Sequence, residues 1–287
     1  MKNYSLLLLA ITLCFSCSDD EKPVTNQPQL IIKLAVNPEQ ARLGNDGSPI
    51  DIPVENAGQD PIFNSISAHY LEFASNANTL LGKGAIVYQA PETTLGGDNA
   101  IDFEKSSVVT PGDVFLEIPL QNLTPGSYEW VRLSLSYQNY DVAFYFNNIP
   151  FTGTIASFVG FNNYITNYTV KNEEVVVNSN KQQGYWGFET ITGVQTGQAP
   201  EGATTVPNPL FATSPIPQGS CVVTGSFDRS LVITGNETKN ITVTLTLSIN
   251  KSFEWVDVNG NGKWDVDPNS GENIVDMGLR GLVPSFE

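Results

Sequence analysis

The chain has one histidine, His69, and three cysteines, of which Cys14 and Cys17 crowd the N-terminus and Cys221 stands alone in the body. A lone body cysteine excludes a disulfide framework and a thiolate metal site there. In the apolar run Ser220–Val223 it reads as a buried, inert thiol. One histidine is too few for zinc or copper centres that recruit several His or Cys ligands. A Ser–His–Asp triad would have to use His69, and no serine sits in a nucleophile-elbow motif. Within the alternating run Ser65–Phe73, His69 reads as a structural histidine of a strand. Basic residues are also scarce, 14 against 30 acidic, for a net charge of -16. Such a surface repels phosphate backbones and excludes nucleic acid as a partner. There is no Gly-rich phosphate loop and no Rossmann fingerprint.

Long Glu/Lys/Leu/Ala runs are missing too. Polar bulk comes from Asn, Thr, Ser and Gly, with 24 Gly and 18 Pro, a composition for strands and turns. Apolar residues alternate in Tyr128–Tyr137, where Val131, Leu133, Leu135 and Tyr137 share one face and Arg132, Ser134 and Ser136 the other. That is the period of a half-buried strand. Similar runs recur at 30–36, 115–120, 142–146, 154–158, 165–170, 174–177, 185–191, 221–227, 230–233 and 241–249. At least ten strands without a long helix predict an all-β fold, an antiparallel β-sandwich-like domain over residues 30–287. The Gly/Pro/Thr-rich stretch 195–219 is predicted to be a long packed loop, since Leu210, Phe211 and Ile216 would be wasted in a free linker.

The first sixteen residues pair a short basic head with the apolar stretch Leu6–Leu13, too short to span a bilayer and suited to a secretory signal. Ser16-Cys17 then resembles the lipobox of bacterial lipoproteins, with Cys14 in the place of the common leucine, as in the looser lipoboxes of the Bacteroidota. The resemblance implies lipidation of Cys17 and a membrane partner reached through that lipid. Ser18-Asp19-Asp20-Glu21 resembles the acidic surface-export signal of the same group, implying an outer-membrane, cell-surface location. Residues 17–29 read as a lipidated acidic tether.

Near the C-terminus comes Asp257-Val258-Asn259-Gly260-Asn261-Gly262-Lys263-Trp264-Asp265. Oxygen side chains at positions 1, 3, 5 and 9, with Gly at 6, match the start of an EF-hand-type loop. A hard cation takes six to eight oxygens, and a tight turn directs alternate side chains inward. The candidate ligands are Asp257, Asn259, Asn261, the Lys263 carbonyl and Asp265, with Glu272, Asp267 or Asp276 closing the shell. Position 12 is Pro268, and Ser252–Trp255 before the loop reads as strand, so this is no EF-hand pair. It resembles the single DxNxNG calcium loops of secreted bacterial proteins. The alternative is a metal-free Asn-Gly turn. Calcium is the expected cofactor, bound weakly and supporting the fold rather than performing chemistry.

Signal, tether, β-rich body and C-terminal loop together resemble the surface lipoproteins of Bacteroidota. Leu123–Tyr128 also resembles MbnP-like copper-binding lipoproteins over six residues, but a single histidine departs from that chemistry. The expected function is a non-enzymatic ligand- or partner-binding module, the partner a glycan or another surface protein. Tyr185 and Trp186 are the candidate ligand contacts, because adjacent aromatics in a strand point to opposite faces. A glycan-binding lipoprotein of a Sus-type uptake system is the first alternative. A carboxylate-based hydrolase is the second, although Glu92, Asp98, Asp102 and Glu104 read equally as solvated acids of a loop.

Overall fold

Strand follows strand from Gln29 to Phe286 in the computed structural model, which describes residues 27–44, 48–199 and 221–287. Cys17, the signal and most of the tether lie outside the described residues, as does most of the predicted loop 195–219. Among the described residues the only helical turns are two short 3₁₀ segments. None of the described residues forms a helix long and apolar enough to cross a membrane, which says nothing of strands.

The molecule is organised around one strand, Gly126–Phe146. The sequence pattern divides it into 128–137 and 142–146, but the intervening Gln138–Asp141 continues the ladder without a turn. On one edge it pairs along most of its length with Ile62–Ala74. On the other it is shared, its first half with Cys221–Ile233 and its second half with Ile149–Phe158. The outer strands Tyr185–Thr190 and Gly193–Gln198 follow. A four-stranded sheet packs against this one, with Gln29–Asn37 at its centre, antiparallel to Val114–Pro119 and parallel to Ile241–Ser248. That parallel pair is an exception in a mostly antiparallel, sandwich-like all-β fold.

The alternation read from the sequence selects the core. Val131, Leu133 and Leu135 meet Leu30, Ile32, Leu34, Val243, Leu245 and Leu247 across the sandwich. Further along, after Ser136 is skipped in the ladder with Ile62–Ala74, Tyr140, Val142 and Phe144 pack against Phe253, Trp255 and Trp264, and Phe63 touches both clusters. Tyr137 joins a third cluster with Phe158, Tyr168 and Tyr185. The polar face of 128–137 is not solvated as its residue types suggest: Arg132, Ser134 and Ser136 are buried. Tyr70 and Glu72 stand beside them on the neighbouring strand, opposite Ser134 and Arg132, and Glu72 accepts from the Tyr70 hydroxyl at 3.0 Å and from the Gly82 amide at 2.8 Å.

Residues 195–198 correct the predicted loop. They belong to Gly193–Gln198, a strand paired with Tyr185–Thr190. Gly193, at φ 109°, makes the hairpin turn. Gly197 lies opposite Trp186, where a side chain would collide with the indole. The glycines that suggest a loop serve a turn and an aromatic contact.

Candidate functional site

The loop that follows Phe253–Val256 is built by its own polar side chains. Gly260 and Gly262 take left-handed φ values of 68° and 69°, which the doubled Asn-Gly sequence accommodates. Asp257 accepts the amides of Asn261 at 3.1 Å and Gly262 at 2.8 Å. Asn259 Oδ1 accepts the Asn261 amide, and Asn261 Oδ1 the Lys263 amide. Successive side-chain oxygens thus turn back onto the backbone. On the other side, Asp265 Oδ2 takes hydrogen bonds from Nδ2 of both Asn259 and Asn261, each at 2.8 Å. Asp265 is buried. The Lys263 carbonyl accepts the Trp255 indole N–H at 3.1 Å, leaving one lone pair for another partner.

Of the three residues that could close the loop, Glu272 reaches it. Its Oε2 accepts the Asp265 amide at 2.7 Å. Its Oε1 is buried without a well-formed hydrogen bond, although the Asn259 amide lies close enough to favour the charged form. Burial raises the Glu272 pKa above the usual glutamate value, and the charges of Asp265 and Asp257 push the same way, against its backbone hydrogen bonds. Asp267 instead accepts the Asn147 amide at 3.1 Å. Asp276 lies in the strand Ile274–Met277 opposite Glu254, with its charge felt by Tyr140. Among the described residues no group of three or more His, Cys, Asp or Glu side chains is arranged to hold a metal ion. Any metal here would therefore draw on the amide and carbonyl oxygens as well as on carboxylates.

The loop is fastened to the body at its ninth position. Tyr145 donates its amide to the Trp264 carbonyl at 2.8 Å and accepts that of Val266 at 2.9 Å. Trp264 then packs against Phe253, Phe188 and Phe144, with centroids 4.9, 5.7 and 6.1 Å away. The loop's anchor is hydrophobic as much as polar.

The aromatic candidates separate as strand alternation requires. Tyr185 is buried in the third cluster, 5.8 Å from Phe158 and 6.1 Å from Tyr168, and offers no open face for a ligand. Trp186 points the other way and is half-buried. His69 is fully buried, its Nε2 2.9 Å from Glu92 and its ring 5.2 Å from Phe161. Burial lowers its pKa, outweighing the pull of Glu92. Glu92 also accepts from Asn99 Nδ2 at 2.5 Å, and Asp102 is buried beside Lys105 at 2.7 Å, so neither is a freely solvated loop acid. Cys221 is half-buried rather than buried.

Two structural features were hidden from sequence reasoning. Arg42 and Glu254 form a buried ion pair across 212 positions, and Asn56 Nδ2 donates to the second Glu254 oxygen at 2.6 Å. Glu189 is buried and gathers the amides of Lys171, Asn172 and Glu173 at 2.8, 3.0 and 3.1 Å. An isolated acid in a strand carries no mark of either role. Comparison with family models, curated proteins and solved structures returned no match.

Proposed function

We propose that this chain is a lipid-anchored surface protein of the outer membrane whose β-domain is a non-enzymatic binding module, stabilised by calcium in the 257–272 loop. The observation that carries the calcium reading is the oxygen-rich turn itself, with Asp257, Asn259, Asn261 and the Lys263 carbonyl in the loop and Asp265 and Glu272 meeting beside it, where burial and the charges of Asp265 and Asp257 raise the Glu272 pKa. Burial and like charges make that arrangement costly without a cation, and a divalent ion reverses the sign of the interaction. Asp257, Asp265 and Glu272 would supply charge. Asn259 Oδ1, Asn261 Oδ1 and the Lys263 carbonyl each accept one hydrogen bond and retain a second lone pair. Such a mixed, weakly charged set fits extracellular calcium modules, with affinities on the order of 10⁻⁴ to 10⁻³ M.

Lipidation at Cys17 rests on the N-terminal sequence alone. The binding reading rests on the absence of a recognisable catalytic constellation in the sequence and on the β scaffold. It is favoured over glycan capture because Tyr185 is buried and so makes no exposed pair with Trp186.

Two experiments test this reading. Calorimetric titration of the protein with calcium should give one weak site, lost in Asp257→Ala and in Asp265→Ala. Heat changes that persist in both variants would place the ion elsewhere. Growth with an alkyne-bearing fatty acid should label the wild-type protein and not Cys17→Ser; equal labelling of both would remove the anchor from the account.

A further inference from the structure

An aromatic cleft lies beside the loop. It has a volume of about 470 Å³ and is lined chiefly by Phe144, Phe151, Phe188, Ile191 and Val266, with Gln195 among its few polar residues. A second hollow of about 230 Å³ shares Phe188, Gln195 and Val266 with it and extends to Trp186 and Trp264. The larger volume falls within the range of about 300–1,000 Å³ typical of small-molecule sites. Its rings are preset: Phe144 and Phe151 stack at 5.5 Å and 22°, and Phe188 meets Phe144 edge-on at 5.5 Å and 72°. Nearby, Ile191 is 83% exposed, Ile149 56% and Phe146 43%. Exposed apolar groups clustered around a cleft mark a binding surface more often than single ones do.

The lining also limits the occupant. Among the described residues it contains no charged side chain, in a chain of net charge -16. An anion would meet a repulsive surface, and a cation would find no carboxylate in the cleft to pair with. Its polar groups are few, and the hydroxyls of Thr190 and Thr192 bond each other at 2.8 Å. Most hydroxyls of a sugar would lose water there without gaining partners, a cost of about 1–3 kcal/mol for each buried group. A flat apolar ring loses little water and matches the edges and faces of the phenylalanines.

One wall residue of the cleft, Val266, and one of the second hollow, Trp264, flank Asp265 in the candidate calcium loop, so whatever orders Asp265 also bears on these walls. We propose that the cleft binds a neutral, flat ring compound and that calcium in the 257–272 loop tightens this binding. The proposal names the ligand class of the binding module proposed above and rests on that reading.

The test uses the full chain carrying Cys17→Ser, purified without detergent, and N-phenyl-1-naphthylamine as a neutral two-ring probe followed by its fluorescence. Saturable binding is expected. Phe151→Ala should weaken it by roughly fivefold to tenfold, the value of a lost aromatic contact. Phe151 is partly buried, so Ile191→Glu serves as a second variant at an exposed position; it should weaken the probe at least threefold, roughly, with an unchanged melting temperature. Millimolar calcium should tighten the probe by about threefold, and Asp257→Ala should abolish that gain. Absence of saturable binding, or binding unchanged in both cleft variants, overturns the proposal. So does a concentration-dependent dimer that Ile191→Glu dissociates, since a second copy would then fill the cleft. Calcium that raises the melting temperature but leaves probe affinity unchanged overturns the coupling. Calcium that does neither, with probe binding intact, overturns the calcium reading and leaves the cleft standing.

Discussion

Glu189 and Glu272 each hold a turn together through a carboxylate, but they are supplied very differently. Glu189 takes three backbone amides and the Asn172 side-chain amide, all between 2.8 and 3.1 Å at their shortest. Burial pushes its pKa up, but those donors outweigh it and hold the group below the usual glutamate value. Glu272 has burial pushing in the same direction, fewer donors, and Asp265 and Asp257 facing it, and its pKa is raised. The same local device, a carboxylate gathering backbone N–H groups, is complete in the 171–173 turn and short of positive charge in the 257–272 loop. The difference indicates where a cation would stabilise the fold and where it would add nothing.

The largest expected effect breaks the complete turn. Glu189→Ala leaves three amides without their acceptor and should cost about 3 kcal/mol in urea unfolding, with calcium making no difference to the loss. A loss below about 0.5 kcal/mol would mean that water replaces the carboxylate and that the turn does not depend on it. The pH dependence follows from the sign of the shift. A depressed carboxylate contributes stability above its unfolded pKa, about 4.3, and that contribution disappears as pH falls through the lower folded value. Acid unfolding of the wild type should therefore show a component that Glu189→Gln lacks.

Glu272→Gln is the inverse case and should be smaller. A raised carboxylate binds more protons when folded, so calcium-free protein should lose stability as pH rises from about 4.3 through the folded value. Neutralising the group should remove that slope and modestly stabilise the calcium-free protein while weakening its response to calcium. Destabilisation in EDTA would show that the negative charge of Glu272 is already satisfied. Asp267→Asn should do least, under about 0.5 kcal/mol, since its contact with the Asn147 amide is exposed. If it removed the calcium response as fully as Asp257→Ala, Asp267 rather than Glu272 would complete the shell.

Much of the strand content was legible because period-two alternation reports one buried face directly. Leu30–Val36 and Ile241–Ile249 lie where the pattern puts them, but nothing in either reveals that they pair in parallel. The 21-residue length of Gly126–Phe146 was hidden by Gln138–Asp141, whose polar side chains suggest an interruption. They remain in the strand because tertiary partners satisfy them: Asn139 donates to the Val170 carbonyl at 2.7 Å, and Asp141 accepts from Lys171 at 2.6 Å. In the candidate site, the turn was legible from Asn-Gly spacing and oxygen positions. The choice among Glu272, Asp267 and Asp276 was not, because it depends on how the chain returns after Pro268. Tyr185 and Trp186 show the same limit: alternation separates their faces without saying which one the neighbouring strands leave open.

The most direct test of the calcium account is thermal unfolding of the purified protein in EDTA and then in about 10 mM calcium, wild type beside Asp257→Ala. For a dissociation constant near 1 mM, linkage predicts a gain of about 1.4 kcal/mol. In a protein of this size that is a rise of roughly 2–3 °C in the wild type, with none in the variant. Equal melting temperatures in all four samples would contradict the account and leave Asp257–Asp265 as a turn closed by its own hydrogen bonds.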